Sequence, residues 1–344
     1  LDLQPDRSVV RRLLEAGFEV YLVDWGRPSR LDQSLGMADY VDRYMDNCVD
    51  AICARAGVDD VHLLGYCMGG SMSIMYTVLH QARVRTLGLM ATPFTFDGTG
   101  GILERWARHY NPDVTVETLG NLPGELLAIE FSMMDPVDQY VSKYVRLYEN
   151  IEDDEFVANF ARMEQWVWDS VDVAGEAYRE FINDIYQDNH LANSEYHLDG
   201  ERIDLSTIEV PVLQVVGEYD HIVPAESSKP FNATVASEDE RIIEFPAGHI
   251  GISVSSKAHR NLWPEVCDWY GTRSASGATP EEVADNGHAT AVSAIRGIGP
   301  TYAARLDDAG IRTVADLQEH DPDELAAVAD APPARTEKWL DQLV

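Results

Sequence analysis

The chain has 344 residues, 45% of them hydrophobic, enough to build one large domain and a small one with real cores. Its formal net charge of −33, from 59 acidic and 26 basic side chains, opposes binding to nucleic acid. No apolar run is long enough for a membrane-spanning helix, and no basic stretch followed by an apolar one marks a secretory signal, so no membrane contact is expected.

The acids are spread along the chain, and only four lysines occur: Lys143, Lys229, Lys257 and Lys338. Such a surface suits a salt-rich cytoplasm, where ionic strength screens self-repulsion, and points to a halophilic cell. A surface meeting cationic partners is the weaker reading, because no segment concentrates the charge. The four cysteines, Cys48, Cys53, Cys67 and Cys267, form no CxxC pair, which argues against a disulfide framework or a zinc site and suits a reducing compartment. The chain opens at Leu1, without a methionine, in what reads as the middle of a fold, so upstream residues, and with them a lost leader, are an expectation.

In chain order, Phe18 to Trp25 (FEVYLVDW) reads as a buried strand, Asp39 to Ala56 as a helix, and Val61 to Tyr66 (VHLLGY) as a second strand. Gly69 to His80 reads as helix, and Val84 to Ala91 as a third strand stopped by Pro93. This alternation predicts an α/β fold with a parallel sheet. From about 94 to 207 the pattern becomes helical and rich in Trp, Tyr, Met and acids, with helical spacing over Phe156–Trp168 and Gly175–Tyr186. The sheet resumes with Val210 to Gly217 and Arg241 to Phe245, and a last helix runs from about Lys257 to Tyr270. The expected organisation is a core over 1–93 and 208–271, a helical cap over 94–207, a linker over 272–290 and a small all-α module over 291–344. In that module Gly297-Ile298-Gly299-Pro300 and Ala309-Gly310-Ile311 resemble a helix-hairpin-helix.

Gly65-Tyr66-Cys67-Met68-Gly69-Gly70 lies between a predicted strand and a predicted helix, the context of a nucleophile elbow. Small neighbours allow a sharp turn that exposes Cys67, and the N-terminus of the following helix favours a thiolate there. The backbone N–H of Met68 is then placed as an oxyanion donor. Taken alone, the motif could be a buried cysteine at a tight turn. Asp220 (in Glu218-Tyr219-Asp220-His221) and His249 (in Gly248-His249-Ile250-Gly251) each follow a strand directly. Singly, they read as a turn residue and a loop histidine. Together, nucleophile, acid and histidine stand in the chain order of the α/β-hydrolase fold.

The chain resembles the polyhydroxyalkanoate synthases, in particular the class III catalytic subunits, in a haloarchaeal form with a C-terminal helix-hairpin-helix extension. The resemblance lies in Leu1-Asp2-Leu3-Gln4-Pro5, Val23-Asp24-Trp25-Gly26, Gly65 to Gly70, Asp220-His221-Ile222-Val223-Pro224, Gly248-His249-Ile250-Gly251 and Asn261-Leu262-Trp263-Pro264, and spans residues 1 to about 271. It implies an α/β-hydrolase fold with a helical cap, and polymerisation of (R)-3-hydroxyacyl-CoA with release of CoA through an acyl thioester on Cys67. It also implies a second synthase subunit as partner, and a cytoplasmic protein at the surface of polyester granules. By resemblance Asp220 activates the incoming hydroxyl rather than orienting His249, a choice the sequence leaves open. His221 either supports Asp220, by resemblance, or is structural. The family strand and loop upstream of Leu1, with the second oxyanion donor, lie outside this sequence.

No dinucleotide or P-loop fingerprint follows a strand, so no cofactor is expected beyond the CoA of the substrate. His190 and His197 read as surface histidines without metal-ligand spacing, so no metal is expected. Cys48, Cys53 and Cys267 read as core or inert thiols. The cap aromatics Trp106, Trp166, Trp168, Tyr178 and Tyr186 read mainly as packing, with a tunnel lining as the alternative. From Gly277 to Val344 five basic residues face thirteen acids, which favours protein docking or granule association over DNA for the tail. Two competing functions remain: a cysteine thioesterase or polyester hydrolase, and a non-catalytic scaffold that binds granules or partners.

Overall fold

The computed structural model describes residues 1–274 throughout and, beyond them, residues 292, 298, 302, 305–306, 309–311, 316–317, 320–329 and 331–340. The chain divides into two units, Leu1–Ser274 and Ala275–Val344.

The first unit is built on a four-stranded parallel sheet of β1 (Val61–Tyr66), β2 (Val84–Met90), β5 (Val212–Gly217) and β6 (Glu240–Phe245), in that spatial order. The two central strands carry the apolar runs: β5 is buried at every position and β2 at all but one, as a parallel sheet covered on both faces requires. One face is covered by α2 (Asp46–Ala56) and α3 (Met68–Leu79). There Val49, Cys53, Ile74, Met75 and Tyr76 pack with Leu87, Leu89 and Val212 of the sheet. The other face takes α1 (Val9–Glu15) and α13 (Trp263–Gly271), where Val9, Trp263, Val266, Trp269 and Tyr270 meet Met90, Leu213, Val215 and Ile243. Between β2 and β5 lies the helical cap, running from α4 (Ile102–Ala107) through α5 (Pro112–Leu119), α6 (Gly124–Ser132), α7 (Lys143–Glu149) and α8 (Asp154–Trp168) to α9 (Gly175–Glu180). The short α10 (Ala225–Ser228) and α11 (Gly251–Val254) follow β5 and β6.

Four expectations change. Phe18–Trp25 forms no strand and pairs with none, and Leu22 and Trp25 are exposed. Its β-branched and aromatic residues confer strand propensity, whereas a strand also needs a hydrogen-bonded neighbour, which this segment lacks. The last helix is two: α12 (Ser256–Asn261), capped by Ser255, and α13, which restarts with Pro264 in its first turn, where proline's missing N–H costs nothing. The cap includes a small antiparallel pair, β3 (His197–Leu198) and β4 (Glu201–Arg202), that periodicity did not reveal. Trp106, Trp166 and Trp168 are about half exposed rather than packed, while Tyr178 and Tyr186 are buried.

In the second unit, α14 (Pro322–Ala329) and α15 (Pro333–Leu340) close on a core of Ile298, Leu306, Ile311, Leu317, Leu325 and Trp339. Gly310 has φ +84°, the left-handed conformation open to glycine. The linker beyond Ser274 and most of Gly297-Ile298-Gly299-Pro300 lie outside the described residues.

Candidate active site

Cys67 sits on the one-residue turn between β1 and α3, with φ 53° and ψ −125°, a backbone conformation rarely adopted by a side-chain-bearing residue. Its N–H donates to Met90 O at 2.9 Å and its carbonyl accepts from Gly70 N at 2.8 Å, so both neighbouring elements hold the strained turn. The turn works because α3 lies almost on the strands. A β-carbon at Gly65 would stand 2.5 Å from Gly70 Cα, and one at Gly70 would stand 1.9 Å from Thr92 Oγ1. Met68 is the first residue of α3, and its N–H has no acceptor within the helix. That leaves it free to donate to a group bound beside Cys67.

Asp220 and His249 arrive on the loops after β5 and β6, at the same end of the sheet. These loops are laced together: Glu218 N donates to Phe245 O at 2.9 Å and Tyr219 N to Ala247 O at 3.0 Å. Asp220 Oδ2 then meets His249 Nδ1 at 2.7 Å, with the carboxylate wholly buried. The other oxygen, Oδ1, accepts from Ile222 N at 2.9 Å and Val223 N at 2.8 Å. Burial lowers the basicity of His249, but the Cys67 sulfur, the hydrogen bond to Asp220 and its charge outweigh that and raise its pKa to about 10. The arrangement favours a protonated His249 ring, with Nδ1 on the acid and the Cys67 sulfur among the groups that hold the proton there.

The structure therefore brings Cys67, Met68, Asp220 and His249 to one place, although Cys67 and His249 are 182 positions apart in the chain. His221 is exposed and makes no hydrogen bond or ion pair with Asp220. Two tyrosines that the sequence did not single out as site residues join the group. Tyr66 stacks on His249, with centroids 5.1 Å apart and 25° between planes, and donates from its hydroxyl to His249 O at 3.0 Å. Tyr186, from the π-helical turn Phe181–Gln187 of the cap, stacks on Phe96 at 3.7 Å. Burial, together with the charges of Cys67 and Asp220, holds its hydroxyl well above the usual tyrosine range. The only sequence signal for Tyr66 was its place next to Cys67; a π-turn, frequent at functional sites, leaves no simple pattern.

Elsewhere, Cys53 is buried, Cys48 and Cys267 are half-buried, and no cysteine is in a disulfide. His197 is exposed, while Asp184, Asp188 and His190 offer ligand atoms within 4.8 Å of one another, and His190 Nδ1 lies 3.3 Å from Asp184. No helix among the described residues is long and apolar enough to cross a membrane.

A parallel sheet carrying a cysteine elbow and a buried acid–histidine pair at the carboxyl ends of its strands defines an α/β-hydrolase-fold enzyme. Residues 2–255 match the alpha/beta hydrolase fold family, and residues 289–344 the SAM-like helix-hairpin-helix tandem. The poly(3-hydroxyalkanoate) polymerase subunit PhaC of Haloarcula marismortui is 52% identical over 380 residues, covering 100% of this chain and 80% of that one. The subunit of the same name from Haloferax mediterranei is 48% identical, covering 99% and 82%, and that of Allochromatium vinosum 42%, covering 79% and 77%. The chain belongs to the poly(3-hydroxyalkanoate) polymerase family and is an acyltransferase of the haloarchaeal type. Among solved structures, a monoacylglycerol lipase of Paleococcus ferrophilus is 18% identical, covering 77% of this chain and 88% of that one, with a TM-score of 0.49, a likeness too distant to inform the site.

Proposed function

We propose that this chain polymerises (R)-3-hydroxyacyl-CoA into poly(3-hydroxyalkanoate), with Cys67 as the acyl carrier. The observation that carries the reading is the 2.7 Å Asp220–His249 pair set behind a cysteine held at positive φ. In the first half-reaction the Cys67 thiolate attacks the thioester carbonyl, the oxyanion is met by Met68 N–H, and the C–S bond to CoA breaks as His249 gives the leaving thiolate its proton. The acyl group now sits on Cys67 as a thioester. In the second, the hydroxyl of another 3-hydroxyacyl group loses its proton to His249 and attacks that thioester. An ester forms and the Cys67 thiolate leaves.

Asp220 supports both halves by orienting the ring and stabilising the imidazolium. Both of its oxygens are already engaged within the protein, which favours this role over direct activation of the hydroxyl. The cap supports transfer over hydrolysis, because it brings the buried Tyr186 ring, stacked on Phe96, near Cys67 and Asp220. The relatives' name, polymerase subunit, supports a second subunit as partner, and a polyester product supports residence at a granule surface in the cytoplasm.

The test is CoA release from 3-hydroxybutyryl-CoA in molar salt, with and without a candidate second subunit, for the native chain and Cys67→Ala. CoA release with insoluble polymer, abolished in the variant, is the expected result. CoA release with only free hydroxy acid would make the enzyme a hydrolase. Full release by Cys67→Ala would remove the cysteine from the mechanism.

A further inference from the structure

Tyr66 ends β1 and stands immediately before the nucleophile. It touches His249 in two independent ways. Its ring lies over the imidazole at 5.1 Å and 25°, and its hydroxyl donates to the carbonyl of the same residue at 3.0 Å. One contact sets the plane of the ring and the other the position of the backbone that carries it. The loop needs such a tether, because His249 lies between Gly248 and an isoleucine–glycine pair that opens the four-residue α11. Asp220 fixes only Nδ1, which leaves the imidazole free to swing about that bond. A face contact and a backbone contact together remove the swing.

We infer that Tyr66 is a positioning residue of this active site, one that holds His249 by ring face and carbonyl so that Nε2 is kept on the Cys67 sulfur. The inference rests on the reading of Cys67 and His249 as nucleophile and proton carrier. A π face also attracts a cation, so the stack favours the imidazolium that the first half-reaction needs. The groups around His249 are Cys67 from the elbow, Asp220 from the β5 loop and Tyr66 from β1, while Tyr186 faces Cys67 and Asp220 from the cap.

Two substitutions separate the two contacts. Tyr66→Phe keeps the ring and loses the donor, whereas Tyr66→Leu loses both. The readouts on the full chain are kcat and KM for CoA release, and the titration of the His249 ring by NMR of histidine-labelled protein, assigned by its loss in His249→Gln. Tyr66→Phe should lower kcat about fivefold, as expected for one hydrogen bond, with KM and the titration unmoved. Tyr66→Leu should lower kcat further and move the titration down by about half a unit. Native kcat and native titration in both variants would overturn the inference. So would a kcat loss that merely follows the melting temperature while the Tyr66→Leu titration stays put, since that is a packing residue's behaviour. If the native His249 titrates near 6.5, or Cys67→Ala keeps full CoA release, the reading of the site itself fails and takes this inference with it.

Discussion

The carboxylate of Asp220 faces His249 Nδ1 at 2.7 Å with no exposed surface of its own, and its second oxygen is tied to the backbone of Ile222 and Val223. A carboxylate so held can hold a ring in turn. By accepting from Nδ1 it favours a proton on that nitrogen whether or not Nε2 carries a second one.

Asp220→Asn is therefore expected to lower kcat for CoA release by about 10²–10⁴-fold with little change in KM, because the amide can present its N–H to Nδ1 and stabilise the wrong tautomer. Steady-state kinetics in molar salt checks this. A variant within about threefold of native kcat would show that the carboxylate is not needed to orient the ring.

The pKa of His249, raised from 6.5 to about 10, gives stability a definite pH dependence. The folded state binds this proton more tightly than the unfolded chain does. The contribution is therefore complete below about 6.5 and is lost as pH rises toward 10. Denaturant melts at pH 6 and pH 10 should show the loss. Cys67→Ala should flatten it, since the sulfur is a main cause of the shift. An equal slope in both proteins would place the effect elsewhere.

Adjacent glycines in the elbow make a matched pair. A β-carbon at Gly70 would press into the stiff, β-branched Thr92 side chain at 1.9 Å, whereas one at Gly69 meets nothing within 4 Å. Gly70→Ala should cost about 1–3 kcal/mol and most of the activity, and Gly69→Ala should be close to neutral in stability. Thermal melts of the two variants decide it. Equal losses would mean that the contact with Thr92 does not decide the cost.

Tyr186→Ala removes the ring stacked on Phe96 above the site. If Cys67 carries the acyl group as proposed, water should then reach it, so the fraction of CoA release that ends as free hydroxy acid should rise while total release persists. Product analysis by chromatography reads the ratio directly. An unchanged ratio would assign water exclusion to other parts of the cap.

Much of the candidate site was legible in the sequence. The apolar runs of the central strands β2 and β5 marked a parallel sheet, and the strand ends carried Cys67, Asp220 and His249 in a chain order that means something only on that sheet. The small residues around Cys67 announced a tight turn, because a sharp strand-to-helix corner has no room for side chains. Local chemistry of this kind is written in neighbouring residues, so the sequence by itself determined it. The tertiary structure alone decided which partners those residues meet. Phe18–Trp25 has strand propensity, yet pairing depends on a neighbour that propensity does not name. Tyr66 and His249 are 183 residues apart, and Tyr186 reaches the site from an inserted cap. Contacts across such distances depend on how whole layers pack, a sum of many small burial terms that no single stretch of sequence encodes.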